Sequence, residues 1–202
     1  EPVQELRDLT RTRKQLAREV VQHTHRLQKT LESANLKLTG LITNVLGKGG
    51  RAIVEALIAG ENDPAKLALL APRVRASPSQ LAEALRGRMR EHHRFMLKLH
   101  LSQIDALQKA IEEIEARLDH SLATFQDAIA RLITIPGLSA TLAWVIVSEI
   151  GTDMSRFPTP EHLKSWACLC PRNDESAGKR RSTRIRQGCA WLKNGLIQAA
   201  WS

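Results

Sequence analysis

Between Cys168 and Gly188 the chain runs Cys-Leu-Cys-Pro-Arg-Asn-Asp-Glu-Ser-Ala-Gly-Lys-Arg-Arg-Ser-Thr-Arg-Ile-Arg-Gln-Gly, with six cations from Arg172 to Arg186. Ser176 and Ser182 lie among them. A serine hydroxyl beside glycine and several cations is the minimum equipment for attack on a phosphodiester. The cations neutralise the phosphate, the turn admits it, and the hydroxyl becomes a covalent carrier. The same composition suits a solvated basic loop that only clamps nucleic acid, and the residue types leave both readings open.

A second phosphate-compatible stretch is Ile133-Thr-Ile-Pro136-Gly137-Leu138-Ser139-Ala-Thr-Leu-Ala143. A helix ends, Pro-Gly turns, and a second helix starts with unpaired amides, in the manner of a helix-hairpin-helix. Such an N-terminus around Gly137 and Ser139 attracts phosphate without reading sequence. An ordinary packing corner has the same pattern, and the turn lacks a second glycine.

Other chemistry-bearing residues point to structure. Cys168, Cys170 and Cys189 lack the paired spacing of a zinc site, so small buried thiols are expected, and no metal ligand set is expected within these residues. His23 and His25, two apart, face different sides of a helix. His93 and His100, a heptad apart, read as core or nucleic-acid-adjacent. Gly47-Lys48-Gly49-Gly50 lacks phosphate-loop spacing and reads as a helix breaker. Trp144 and Trp166 sit in apolar runs and are expected in the core, with Trp191 more open.

The 202 residues carry 30 Lys and Arg against 21 Asp and Glu, a net charge of +9. The excess is concentrated at 1–30 (net +3), 73–98 (net +5) and 161–202 (net +5), while 99–120 is acidic. Blocks of this kind suit a polyanion, with Arg7, Arg11, Arg13 and Arg18 as candidate phosphate contacts on the first helix. Three cysteines do not make a disulfide scaffold, and reduced thiols in the cytoplasm are the expectation. No apolar run reaches the length of a membrane span. With no tyrosine, these residues cannot cut DNA through a tyrosine nucleophile. The chain opens on Glu1-Pro2 and stops at Trp201-Ser202 inside an apolar helical pattern, which reads as a fragment.

The elements that must position this chemistry are helical. Apolar residues from Leu6 to Val45 step by sums of three and four, predicting one long amphipathic helix. Shorter helices are predicted from Arg51 to Ala59, ended by Gly60, and after Asp63-Pro64, with another starting at Ser79. From about Gln80 to Leu132 a second long helix is expected to bury Ile104, Leu107, Ile111, Ile114, Leu118, Leu122, Phe125 and Ile129. Two steps of four around Leu118 form a stutter in this heptad seam. The fold class expected is mainly α: a coiled-coil arm followed by a compact, mostly helical C-terminal domain. The expected divisions are a basic helix at 1–46, the arm at 47–131 and the C-terminal domain at 132–202.

Leu132–Gly151, Arg156-Phe157, Trp166-Ala-Cys-Leu-Cys-Pro171, Glu175-Ser176-Ala-Gly178-Lys-Arg-Arg, Arg186-Gln-Gly188 and Trp191-Leu192 together resemble the C-terminal domain of insertion-sequence transposases of the IS-one-hundred-ten class. Glu5-Leu-Arg-Asp-Leu-Thr-Arg, Val45-Leu-Gly, Arg51 to Gly60 and His92-His93-Arg-Phe resemble that family's middle region. The resemblance implies a DNA recombinase with Ser176 as nucleophile, or Ser182 in the same loop. Lys179, Arg180, Arg181, Arg184 and Arg186 would contact phosphate. It implies DNA and a structured bridge RNA as partners, and a dimer or tetramer formed through the arm. It also implies Mg²⁺ held by four acids of a RuvC-like domain upstream of Glu1, so that Asp8 is not a ligand and makes helix-surface ion pairs. On this resemblance the 202 residues alone are expected to be inactive, and the complete protein to sit on the bacterial nucleoid. The alternative from a different class is a non-catalytic nucleic-acid-binding module with an oligomerisation arm.

Overall fold

The computed structural model describes residues 2–170, 174–182 and 188–202. The fold is mainly α. Nine helices are described: α1 (Pro2–Ser33), α2 (Lys48–Ala59), α3 (Pro64–Leu69), α4 (Pro78–Ala84), α5 (Glu91–Ser121), α6 (Gln126–Ile133), α7 (Ala140–Ile150), α8 (Pro160–Trp166) and α9 (Ala190–Ala200). One antiparallel hairpin, β1 (Asp174–Ser176) and β2 (Lys179–Ser182), is the described strand structure. Two compact units divide the chain. One is Gln15–Glu113, and the other combines Glu1–Lys14 with Ile114–Ser202.

In the Gln15–Glu113 unit the core gathers Leu27, Leu31, Leu36, Leu38, Ile53, Leu57, Leu67, Leu81, Leu97 and Ile104. The first helix ends at Ser33, twelve residues short of the expected Val45. Asn35 takes a left-handed φ of 60°. Its N–H donates to the Glu32 carbonyl, and the Leu36 N–H reaches back to Leu31 at 2.9 Å. This Schellman-type end, with Leu31 and Leu36 buried beside each other in sequence register, stops the helix while the apolar periodicity continues past it. The glycine run at 47–50 starts a helix instead of merely breaking one: Gly47 is the N-cap of α2. Gly60 closes α2 at φ 105°, and Asp63 caps α3 by accepting from the Ala65 N–H, both as the sequence predicts. The cap of α4 is Ser77, two residues before the expected Ser79, and it forms a reciprocal capping box with Gln80.

The expected long helix from Gln80 to Leu132 is three helices. Between α4 and α5, Gly87 lies so close to the end of α1 that any Cβ there would run into the Ala34 carbonyl. The neighbouring Arg88 N–H donates to that same carbonyl at 2.7 Å. The second break, at Leu122–Phe125, falls on the stutter. Of the eight seam residues, Ile104, Leu118, Leu122 and Ile129 are buried, whereas Leu107, Ile111, Ile114 and Phe125 are half-buried.

In the other unit α7 is the central element. Ala143 and Val147 pack with Leu6, Leu118, Leu122 and Ile129. Ile146 and Ile150, on its other side, pack with Ala167 and Leu192. Two polar residues, Ser148 and Glu149, are also buried at the end of this helix. The start of α1 satisfies them. Arg7 donates through Nε to the Ser148 carbonyl at 2.8 Å and through Nη2 to the Glu149 carbonyl at 3.0 Å, filling last-turn acceptors that a helix cannot pair internally. Arg11 forms a two-pronged ion pair with the Glu149 carboxylate at 2.8 and 2.9 Å, and Thr10 meets the Ser148 hydroxyl at 3.1 Å. The Glu149 carboxylate holds the Arg11 guanidinium above its usual range.

Two outcomes test these contacts. Removing Arg11 strands a carboxylate whose side chain is 2% exposed. Arg11→Ala is therefore expected to cost roughly 3 kcal/mol in urea unfolding, while the double change Arg11→Met with Glu149→Leu recovers most of that loss. A change that is additive across the pair would contradict a desolvated ion pair. In the Gln15–Glu113 unit, His100 is 7% exposed and its Nδ1 lies 3.2 Å from that of His23. Burial, then His23 and Arg26, hold the His100 imidazole below its ordinary range. The unfolded chain thus takes up this proton first as pH falls below about 6.5, and stability drops with acidification from that point. His100→Gln should flatten the decline in urea midpoint between pH 7.5 and 5, and an equally steep decline would assign it to other groups.

Candidate nucleic-acid interface

The predicted turn between α6 and α7 is present. Gly137 adopts φ 83°, and a Cβ there would also run into the Ala199 carbonyl near the end of α9. Both conditions require glycine. Ser139 is the N-cap of α7, accepting from the Leu142 N–H at 3.3 Å. Gly195 gives the same helix pair a second close approach, since a Cβ on it would meet the Leu142 side chain. The turn is therefore fixed by its docking against α9.

That docking leaves a cavity of about 400 Å³ lined by Thr10, Arg13 and Lys14 of α1, by Gly137, Ser139 and Thr141, and by Gly195, Gln198 and Ser202. Three of the residues singled out in the sequence, Arg13, Gly137 and Ser139, are brought together here, and Lys14 joins them. The cations of this wall are already engaged. Arg13 Nε donates to Glu115 at 2.7 Å, and Lys14 reaches the Trp191 carbonyl at 3.5 Å. Lys14 and Arg11 both lie 5.8 Å from the centre of the Trp191 ring. Arg7 and Arg11 are committed to the end of α7, while Arg18 is exposed on the Gln15–Glu113 unit.

The tryptophans divide differently from expectation. Trp166 is 42% exposed, edge-on to Phe157 at 5.7 Å, because α8 is a single short turn-rich helix with one side open. Trp191 is half-buried beneath its two cations, and Trp144 is half-buried in the core around α7. Among the cysteines, Cys168 is buried, Cys189 half-buried and Cys170 exposed. The Cys189 thiol donates to Glu149 at 3.3 Å, and burial together with that carboxylate pushes it above the ordinary thiol range. It stays protonated at neutral pH, which suits neither a nucleophile nor a metal ligand. Among the described residues no three His, Cys, Asp or Glu side chains converge on a point.

The basic stretch is built on a pinned base. Cys168 takes φ 55°, and a Cβ on Gly188 would strike its sulfur, so Cys168 and Gly188 lie against each other. Within it β1 and β2 pair with Ser176 opposite Lys179 and Glu175 opposite Arg180, and a register shift follows Asp174. Ala177 and Gly178, at φ 51° and 73°, form the two-residue turn. Positive φ at both positions is the geometry of a tight type I′ hairpin. Ser176 is thus the last paired residue before the turn, Ser182 the far end of β2, and Lys179 is exposed. Arg180 and Arg181 lie along β2. Arg184 and Arg186 fall outside the described residues.

The residue that sequence reasoning missed is Glu149. It was legible as the one acid inside Ala-Trp-Val-Ile-Val-Ser-Glu-Ile, an otherwise apolar helical run that needs a buried cation as partner. No helix among the described residues is long and apolar enough to cross a membrane. Residues 129–202, from the second half of α6 through α9, match the family described as Transposase IS116/IS110/IS902 family. Neither a curated protein nor a solved structure matches the chain. The matched stretch contains the pinned turn, the buried Glu149 and the Ser176 hairpin, and over residues 129–202 the chain is similar to transposases of the IS116/IS110/IS902 family.

Proposed function

We propose that this chain serves a transposase that exchanges DNA strands through Ser176, with target and donor chosen by a structured guide RNA. The transposase assignment carries DNA as the partner. The observation that supports Ser176 over the other serine is the hairpin: Ser176 is held at the tip, next to Ala177-Gly178, in register with Lys179. Ser182 is set back at the far end of β2. A tip position admits a bulky duplex, and in this reading Lys179, across the ladder, neutralises the phosphate under attack.

In the step assigned to it, the Ser176 hydroxyl oxygen forms a bond to phosphorus as the bond to one bridging oxygen breaks. The serine proton ends on that leaving oxygen, and the DNA end remains as a phosphoserine ester. Attack by the hydroxyl of the incoming strand reverses the bond changes and frees Ser176, so no oxidant or reductant is required. Arg180, Arg181, Arg184 and Arg186 flank this phosphate in the reading, since guanidinium groups bind phosphate but do not act as bases. Gly137 and Ser139 are assigned to DNA backbone contact. The Mg²⁺ of the family is assigned to acids outside these 202 residues. The half-buried seam at Leu107, Ile111 and Ile114 supports pairing of α5 with a second copy into a dimer or tetramer.

The test compares Ser176→Ala with Ser182→Ala in the protein that carries both the RuvC-like domain and this chain. Ser176→Ala is expected to lower strand exchange by roughly 10³-fold or more while nucleic-acid affinity stays within a factor of two. Ser182→Ala should retain most exchange. Exchange surviving in Ser176→Ala would remove it as the nucleophile and favour a phosphate-binding hairpin.

A further inference from the structure

A polar concavity lies inside the Gln15–Glu113 unit. It has a volume of about 580 Å³ and its wall includes Asn35, Asn62, Arg86, Arg88, Arg90 and His93. Three guanidinium groups and an imidazole line it, and no carboxylate does. The walls are fixed by backbone: the left-handed Asn35 ends α1 on one side, and Arg88 N–H is tied to the Ala34 carbonyl on the other. On the third side, His93 Nδ1 accepts from the Arg90 N–H at 3.2 Å, which leaves its Nε2 as the proton-bearing donor.

The charges are also uncommitted. Among the described residues neither Arg88 nor Arg90 has an ion-pair partner, and Arg86 meets only Glu83 in a surface pair with both side chains more than two-thirds exposed. The nearby acids are occupied elsewhere. Asp63 caps α3, and Glu61 accepts from the Asn62 and Asp63 N–H groups. Asn62 Oδ1 is held by Arg94 Nη2 at 2.8 Å, and the other terminal nitrogen, Arg94 Nη1, is buried without a hydrogen-bond partner. A fourth guanidinium therefore stands one hydrogen bond behind the wall, with one terminal nitrogen unsatisfied. Like charges gathered on a concave wall with no acid repel one another unless an anion sits among them.

We propose that this cavity is a phosphate-recognising site for a nucleic-acid backbone, seating a phosphodiester between Arg86, Arg88, Arg90 and His93. The volume exceeds a lone phosphate and fits a nucleotide unit of a strand. No aromatic ring other than imidazole lines it, so it holds the backbone without stacking a base. The choice of a strand over free phosphate rests on the transposase reading; the anion site itself does not.

The test uses the 202-residue chain with a labelled single-stranded RNA and a DNA duplex of equal length, titrated at several salt concentrations, and separately with inorganic phosphate. Changing Arg86, Arg88 and Arg90 together to Gln should weaken nucleic-acid binding at least tenfold and flatten the slope of log affinity against log salt by about 2. Asn62→Asp keeps the acceptor for Arg94 but puts a carboxylate in the wall, and should weaken binding several-fold with helical content unchanged. Arg131→Gln, an exposed cation on α6, should change affinity less than Arg88→Gln does. Equal effects at these two positions would reduce the cavity to net charge and overturn the site, as would wild-type affinity and slope in the triple variant. Perturbation of the His93 resonance by inorganic phosphate, with oligonucleotide binding untouched by the triple change, would overturn the strand and leave a free-phosphate site. Loss of strand exchange in Ser176→Ala bears on none of these readouts.

Discussion

A carboxylate buried at the end of a helix cannot stand alone, and the unit formed by Glu1–Lys14 and Ile114–Ser202 is organised around that constraint. Glu149 is 3% exposed at the close of α7, where the helix also leaves its last carbonyls unpaired and where the dipole is already negative. Both problems are solved from the same face of α1: Arg7 takes the carbonyls, Arg11 takes the carboxylate. The cost of burying the pair is large, so its net stabilisation is small. What it supplies is register. Slipping α1 along α7 by one residue would bury an acid without a cation, which sets the position of Leu6 over Val147 and of Lys14 near Trp191.

From that register the rest of the domain follows by close approach. With α7 fixed, the turn before it is held by Gly137 against α9, and Gly195 lets α9 come close enough to Leu142 for the two helices to pack. Gly188 then follows the same logic one segment earlier in the chain, closing the basic excursion against Cys168. Gly137 and Gly188 leave no room for a methyl group and hold the turn and the Cys168–Gly188 approach, while Gly195 lets α9 come against the Leu142 side chain.

Local rules were legible where the controlling partner is local. Asp63-Pro64, Gly60 and the Pro136-Gly137 turn were readable because capping and positive φ depend on residues within four positions. The break after Ser121 was not read as one, although the heptad stutter lies beside it. The end of α1 was not readable, because Asn35 sits inside an apolar pattern that continues past it, and nothing nearby forbids helix. The break at Gly87 depends on the Ala34 carbonyl, more than fifty residues away. At the candidate site, Gly137, Ser139 and the place of Ser176 at a turn were visible in residue types. The commitment of Arg7, Arg11 and Arg13 was not, since a basic stripe looks the same whether its partner is a phosphate or a buried glutamate.

A formal +9 counts every cation equally, but a guanidinium already bonded to a carboxylate attracts a polyanion far less than a free one. On α1, Arg7, Arg11 and Arg13 are spent within the protein, and on α2 Arg51 is held by Asp105 at 2.6 and 2.8 Å. The block at 73–98 is different in kind: its charges Arg88 and Arg90 line a wall without acids, on a linker whose backbone is fixed by Gly87 and Ala34. Charge that is preorganised and unneutralised has the largest effect on a phosphate, because no internal partner must be given up and no loop must be ordered. Among the described residues Arg88 and Arg90 have no ion-pair partner, whereas Arg7, Arg11 and Arg13 of the first helix are bonded within the protein.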